Sequence, residues 1–399
     1  MGTNHLQRRE ALAGMIGMAL GIGSTPVFAQ NVRGVTANSI KIGVQVPLTG
    51  PVALSGEQIR AGEVAYMSMI NDRGGVNGRK IELIIEDNEF SAQKGVTAVR
   101  KLVTRDNVFA MVGGNGVSQF NPVLPFLDEQ QVPVINAYTG VVDWYNPVRQ
   151  RVFGVYPPLE FSAQAIGRWA AKEGHKKILV AHFDAAIAVS FSKMIEPGAK
   201  TANPNVEVEL MPVKLGTVDY TPIALEIMRK NPDVVIAANI LQEFVALTKE
   251  LRTQGSKVPV FTLPINVLQS VLALAPEPLE GVKALSFTRS PTADTPALKE
   301  YRDALAKYVP SQKADFVSLF TFAASKIFVE ALSRVKGELT YDALYASLHS
   351  LKDYDSGILP PVTFSPTSHL GVTSFFKMIA HNGQWVATGE LVDSQAMNW

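Results

Sequence analysis

The chain has 399 residues, 47% of them hydrophobic and 18% charged, which at roughly 100–200 residues per domain is enough apolar material for two packed domains. Lys and Arg total 37 against 36 Asp and Glu, so nothing draws the chain electrostatically toward nucleic acid or an anionic membrane. There is no cysteine, which excludes disulfides, thiolate metal sites and a cysteine nucleophile, and the histidines show no metal-binding spacing.

The N-terminus reads as an export signal. Arg8-Arg9 supplies the positive start, Ala11 to Ile22 is apolar, and Val27-Phe28-Ala29 offers small residues for cleavage before Gln30. The signal therefore spans residues 1–29. The paired arginines hint at the twin-arginine route, although Gln7-Arg8-Arg9-Glu10-Ala11-Leu12 is an imperfect version of that pattern. The apolar stretch falls short of the ~20 residues a membrane span needs. No later stretch reads as long and apolar enough to cross a bilayer, so the mature chain is expected outside the cytoplasm.

Ile40 to Val46 is a β-branched run and predicts a buried strand. Gly56 to Asp72 predicts a helix, stopped by Gly74-Gly75. Ile81 to Ile85 is the next strand, and Ser91 is placed to cap the following helix. Strands at Val108 to Val112 and Val132 to Ile135 flank a helix from about Gln119 to Gln130. The pattern then restarts. Helices are expected at Phe161 to Glu173, Val189 to Lys200, Ile223 to Lys230 (capped by Thr221) and Glu243 to Gln254. Strands are expected at Lys177 to Ala181, Val206 to Val213, Val234 to Ala238 and Val258 to Thr262. Two such βαβα runs imply two parallel sheets covered by helices, with ligands bound at the strands' carboxyl ends. Two long helical patterns follow, Pro296 to Val309 and Phe316 to Val335. The tail from Val362 to Leu391 reads as a β-hairpin turning at His381-Asn382-Gly383.

Motifs for chemistry fail on context. Gly74-Gly75-Val76-Asn77-Gly78-Arg79-Lys80 runs from helix into strand, whereas a phosphate loop runs from strand into helix, so it reads as a turn. Pro47-Leu48-Thr49-Gly50-Pro51 lacks the dinucleotide-binding glycines, and no G-x-S-x-G elbow occurs. The acidic group Glu86, Asp87 and Glu89 reads as a solvated strand end or helix-start charge. No catalytic, metal or cofactor site is expected.

Several segments together resemble the leucine/isoleucine/valine-binding protein family, the type I periplasmic binding proteins of ABC importers. They are Ile40 to Pro51 continuing to Gly56, Gly74 to Leu83 with Glu86-Asp87, Lys101-Leu102-Val103, Val132 to Ile135, Asn231 to Val235, and Leu279 to Val282. The resemblance covers nearly the whole mature chain. It implies a periplasmic, non-enzymatic, monomeric binding protein that delivers its ligand to an ABC permease. It also implies an α/β fold of two Rossmann-like lobes joined by a three-strand hinge. The first lobe is placed at 30–154 plus 286–358 and the second at 155–285 plus 359–399. Crossings fall near Phe153-Gly154-Val155, Val282 to Phe287, and Ile358 to Val362. The family's first-lobe site maps onto the loop carrying Asn115, Gly116, Val117 and Ser118, where a helix start suits a carboxylate. Ser118 could equally be a simple helix cap. Asn136, Tyr138 and Thr139 face the same cleft in that family.

Positions that hold an α-ammonium in amino-acid-binding relatives fall near Ile187, Ile240 or Leu241, and Ile265, all aliphatic. Ser55 stands where an aromatic residue is common, which enlarges the pocket. A buried ammonium needs an acidic or π-rich partner, so the expected ligand is a carboxylate with an apolar or aromatic body and no α-amino group, packed by Tyr138 and Phe183. Asp184 or Glu243 could restore an ammonium site. A branched-chain or aromatic amino acid therefore stays open as the ligand, as do a ligand-sensing receptor domain and an exported α/β enzyme.

Overall fold

The computed structural model describes residues 32–50 and 52–394; the expected signal at 1–29 lies outside them. Strands β1 (Ser39–Val46), β2 (Lys80–Asp87), β3 (Ala110–Val112), β4 (Val134–Ile135) and β5 (Val152–Phe153) form a parallel sheet in the order β2-β1-β3-β4-β5. The second sheet holds β6 (Lys177–Phe183), β7 (Glu207–Val213), β8 (Val234–Ala238), β9 (Val260–Thr262), β10 (Lys283–Ser286), β11 (Ser374–His381) and β12 (Gln384–Asp393). Its order is β12-β11-β10-β9-β8-β6-β7. It is parallel from β7 to β10, and the antiparallel hairpin β11–β12 closes its far edge. The central strands are buried along nearly their whole length, as strands of a parallel sheet are when helices cover both faces.

Proline broke two of the expected helices. The run expected at Gln119 to Gln130 is three short pieces, Val117–Phe120, Asn121–Val123 and Leu124–Glu129, because Pro122 and Pro125 lack N–H donors. The run expected at Val189 to Lys200 splits into Ala186–Ser192 and Ile195–Lys200, the latter containing Pro197. Thr221 is not a cap: its hydroxyl donates to Glu250 Oε1 at 3.1 Å, and the helix begins at Thr221 itself. A further helix, Tyr341–His349, capped by Thr340, was not read from the sequence. The helix Phe316–Arg334 does meet the length and hydropathy of a membrane span, contrary to expectation, with a mean hydropathy of 1.5. It is a core helix, since 83% of that window is buried inside the fold.

The chain passes between the sheets three times. After β5 it runs through Gly154 to the helix Leu159–Lys172 beside the second sheet. After β10 it returns through Phe287 to the helix Pro296–Tyr308, which packs on the helix Ala53–Asp72. The third passage falls after Gly371, later than the expected Ile358 to Val362. Residues up to that point stay tied to the first lobe: Lys326 Nζ donates to Ser356 O at 3.0 Å, His369 Nδ1 lies 2.9 Å from Arg149 O, and Gly371 N donates to Gly154 O at 2.8 Å.

Two features of the first lobe fix the helix Ala53–Asp72. A Cβ on Gly62 would lie 2.1 Å from Ser318 O and 2.2 Å from Thr321 Oγ1, so this glycine lets the helix touch the core helix backbone to backbone. Gly62→Ala is expected to force the helices apart and to cost about 1–3 kcal/mol in a denaturant titration; a change below about 0.5 kcal/mol would show that the contact is slack.

Next to it, Glu63 is buried and its Oε1 accepts from Gly114 N at 3.1 Å, while Oε2 has no hydrogen-bond partner among the described residues. Desolvation pushes its carboxyl up to about 8, against the smaller lowering effect of the Gly114 bond. The folded chain therefore keeps a proton that the unfolded chain releases above its ordinary value of 4.5. That contribution to stability is complete below the unfolded value and lost as pH rises through the folded one. Stability should fall by up to about 1.4 kcal/mol per pH unit across that window. Glu63→Gln should flatten this slope in unfolding curves taken at about pH 5 and about pH 8; an unchanged slope would assign it to other groups.

Candidate ligand-binding site

A cavity of about 780 Å³ opens where the carboxyl ends of both sheets face each other. The first lobe contributes the start of the helix Ala53–Asp72 through Leu54, Ser55 and Gln58, then Tyr138 after β4, and Phe316, Val317 and Phe320 from the core helix. The passages between sheets contribute Tyr156, Ser286, Phe287 and Thr288. The second lobe contributes Phe183 at the end of β6, Ile187 and Phe191 from the next helix, Ile240 and Leu241 after β8, and the segment from Pro264 to Leu274 after β9. Among the described residues, no Asp, Glu, Lys, Arg or His lines this cavity.

Its floor is aromatic. Tyr138 meets Tyr156 at 5.1 Å and Phe320 at 5.3 Å between ring centroids, and Tyr156 meets Phe287 at 4.5 Å. Burial raises both tyrosine phenols above their ordinary value, so they stay neutral donors. Among the described residues neither hydroxyl has a hydrogen-bond partner, and both residues line the cavity. The positive end of the 20-residue helix Ala53–Asp72 lies at the same wall, with no acidic side chain in its first turn.

Six expected site residues are brought together here, Ser55, Tyr138, Phe183, Ile187, Ile240 and Ile265, together with Leu241, the alternative to Ile240. The others lie outside the cavity wall. Asn115 is spent on structure: its Nδ2 donates to Tyr138 O at 3.3 Å, and its O accepts from Gln45 Nε2 at 2.9 Å. Gly116 is filled in by the Gln119 side chain, and the helix that Val117 begins has only four residues. Ser118 is exposed and makes no cap, so neither of its expected roles is seen. Asn136 is buried with a left-handed φ of 55°, and its Nδ2 donates to Ala324 O at 2.9 Å. Thr139 is buried behind the wall. Asp184 is exposed, and Glu243 accepts from Gly216 N at 3.0 Å, so neither supplies a carboxylate to the cavity.

Sequence reasoning missed Tyr156, Phe287, the three core-helix residues, and Val267, Leu268 and Val271. Tyr156 and Phe287 were the most accessible of these, as aromatics beside two expected crossings. The segment after β9 is positioned by the distant hairpin: Trp385 Nε1 donates to Leu268 O at 3.3 Å, and Gln269 Nε2 to Gly383 O at 2.6 Å.

The sequence profile of the periplasmic binding proteins matches residues 39–383, and the chain belongs to that family, of the leucine/isoleucine/valine-binding type. It is 26% identical over 343 residues to Leu/Ile/Val-binding protein homolog 3 of Brucella melitensis, covering 84% of this chain and 90% of the relative. Among solved structures it is similar to an ABC transporter substrate-binding protein from Sphaerobacter thermophilus, at a TM-score of 0.77 and 20% identity, covering 90% of this chain and 98% of the other. It is also similar to a fatty acid ABC transporter substrate-binding protein from Thermomonospora curvata, at 0.73 and 21%, covering 93% and 96%. The chain is thus an extracytoplasmic solute-binding protein.

Because the two phenol hydroxyls have no hydrogen-bond partner among the described residues, Tyr138→Phe and Tyr156→Phe should leave the melting temperature of the free protein within about 0.5 kcal/mol equivalent. Each should weaken a carboxylate ligand by about ten- to a hundredfold in calorimetry, the range of one hydrogen bond to a charged group. Unchanged affinity in both variants would remove the tyrosines from the polar end of the site.

Proposed function

We propose that this chain captures a monocarboxylate with an apolar or aromatic body, lacking an α-amino group, and delivers it to the permease of an ABC importer. The observation that carries the reading is the uncharged wall. A buried ammonium without an acidic partner is costly, and Asp184 and Glu243 are both turned elsewhere. A carboxylate finds neutral donors on Ser55, Gln58, Tyr138 and Tyr156 beside the positive end of a helix. The fatty acid-binding description of one structural neighbour agrees with an apolar ligand. In this reading the protein acts as a monomer without catalysing a reaction, and reaches the periplasm by the twin-arginine route.

An amino acid remains the second reading, because the relatives named for leucine, isoleucine and valine carry it and the Tyr138 and Tyr156 rings offer π faces to a cation. A thermal-shift screen separates the two. A ligand at a hundred times its Kd adds about 2.7 kcal/mol of stability. Plain acids such as benzoate, cinnamate and straight-chain carboxylates should raise the melting temperature, and α-amino acids should not. A shift with leucine or phenylalanine alone would overturn the assignment.

A further inference from the structure

The cavity's depth and its mouth differ in a way that bears on ligand size. Its inner second-lobe wall is sealed: Phe191 is 1% exposed, Val267 2% and Val271 4%. Its mouth carries four large aliphatic side chains left to solvent: Leu54 at 73%, Ile187 at 60%, Leu274 at 59% and Leu241 at 42%. Leu54 belongs to the first lobe and the other three to the second. Apolar surface grouped at the rim of a concave site marks a surface that is covered in the working state. The passages between the lobes run through the cavity wall at Tyr156 and Phe287, so hinge closure around a ligand carries the facing rims toward each other.

We infer that the ligand is an acid whose apolar body, chain or ring, is long enough to reach from the aromatic floor to this rim, and that Leu54, Ile187, Leu241 and Leu274 select for that length by closing over its far end. The inference rests on the carboxylate reading above. A volume of about 780 Å³ lies toward the upper part of the range for pockets that enclose ligands of drug size, roughly 300–1,000 Å³. A short acid would leave apolar wall and rim facing water after closure. An extended one covers both, and so favours the closed state through contacts with both lobes.

The test uses the whole mature chain, with butanoate and benzoate as short probes and decanoate and phenylbutanoate as long ones, titrated by calorimetry. Ile187→Asp and Leu274→Asp each place a charge at a position that is exposed in the structure, so the melting temperature of the free protein should hold. The unmodified protein is expected to bind the long probe of each pair at least about tenfold more tightly, and each variant to cut that preference at least about fivefold. A larger gain for decanoate than for phenylbutanoate would make the far end a chain, and the reverse a ring. Equal affinity for short and long probes, or an unchanged preference in both variants, would overturn the length selection while leaving the carboxylate reading in place. Failure of every acid, short or long, would overturn that reading and this inference with it.

Discussion

The close approach of two first-lobe helices governs the rest of the site. Gly62 brings the helix Ala53–Asp72 against Ser318 of the core helix, where any Cβ would collide with a carbonyl. Gly56, six residues earlier, lets the same helix touch the loop that precedes it, where a Cβ would sit 1.9 Å from Pro47 O. The loop before the helix is fastened from the other side, since Asp87 Oδ1 accepts from Leu48 N at 2.8 Å and its Oδ2 from Thr49 Oγ1 at 2.6 Å. Held at these points, the helix has one position available, and its start, with Ser55 and Gln58, forms one wall of the cavity. The partner helix supplies the facing floor through Phe316, Val317 and Phe320.

Electrostatics then decide what that cavity accepts. Among the described residues its wall carries no ionisable group except two phenols, which burial keeps neutral. The buried carboxyl of Glu63 lies behind the loop at Gly113-Gly114, where it bonds Gly114 N instead of a ligand. A site of this kind does not reward a cation with an ion pair. It rewards one acceptor group set against hydroxyl and amide donors, and an apolar remainder spread over aromatic and aliphatic surface. The second lobe's contribution is almost wholly apolar, and its innermost piece is positioned by Trp385 in the C-terminal hairpin.

The sheets were legible because their strands are rich in β-branched residues, at every second position from Ile40 to Val46 and three in a row from Val234 to Ile236, between amphipathic helices. The part of the site that follows strand ends was legible for the same reason: Phe183, Ile240 and Ile265 each sit within three residues of a strand's carboxyl end. The loop Gly113 to Ser118 was not, because its amides are spent on neighbours distant in sequence. Gly113 N donates to Ile135 O, Gly114 N to Glu63 Oε1 and Asn115 N to Gln45 O. No local pattern announces such pairings. Phe316, Val317 and Phe320 were hidden for the opposite reason, since on a helix buried nearly all round a cavity-facing aromatic reads like any other core residue. The third passage was misplaced because His369 and Gly371 hold residues past Val362 on the first lobe.

The central claim is that this cavity accepts a carboxylate and penalises an α-ammonium. Hydrocinnamate and phenylalanine differ only in that ammonium group, so calorimetric titration of the mature chain with each isolates its cost. The uncharged wall predicts that hydrocinnamate binds and that phenylalanine binds at least about a hundredfold more weakly. Equal or tighter binding of phenylalanine would contradict the account and would require a partner for the ammonium, such as the Tyr138 and Tyr156 ring faces, on the wall now described as neutral.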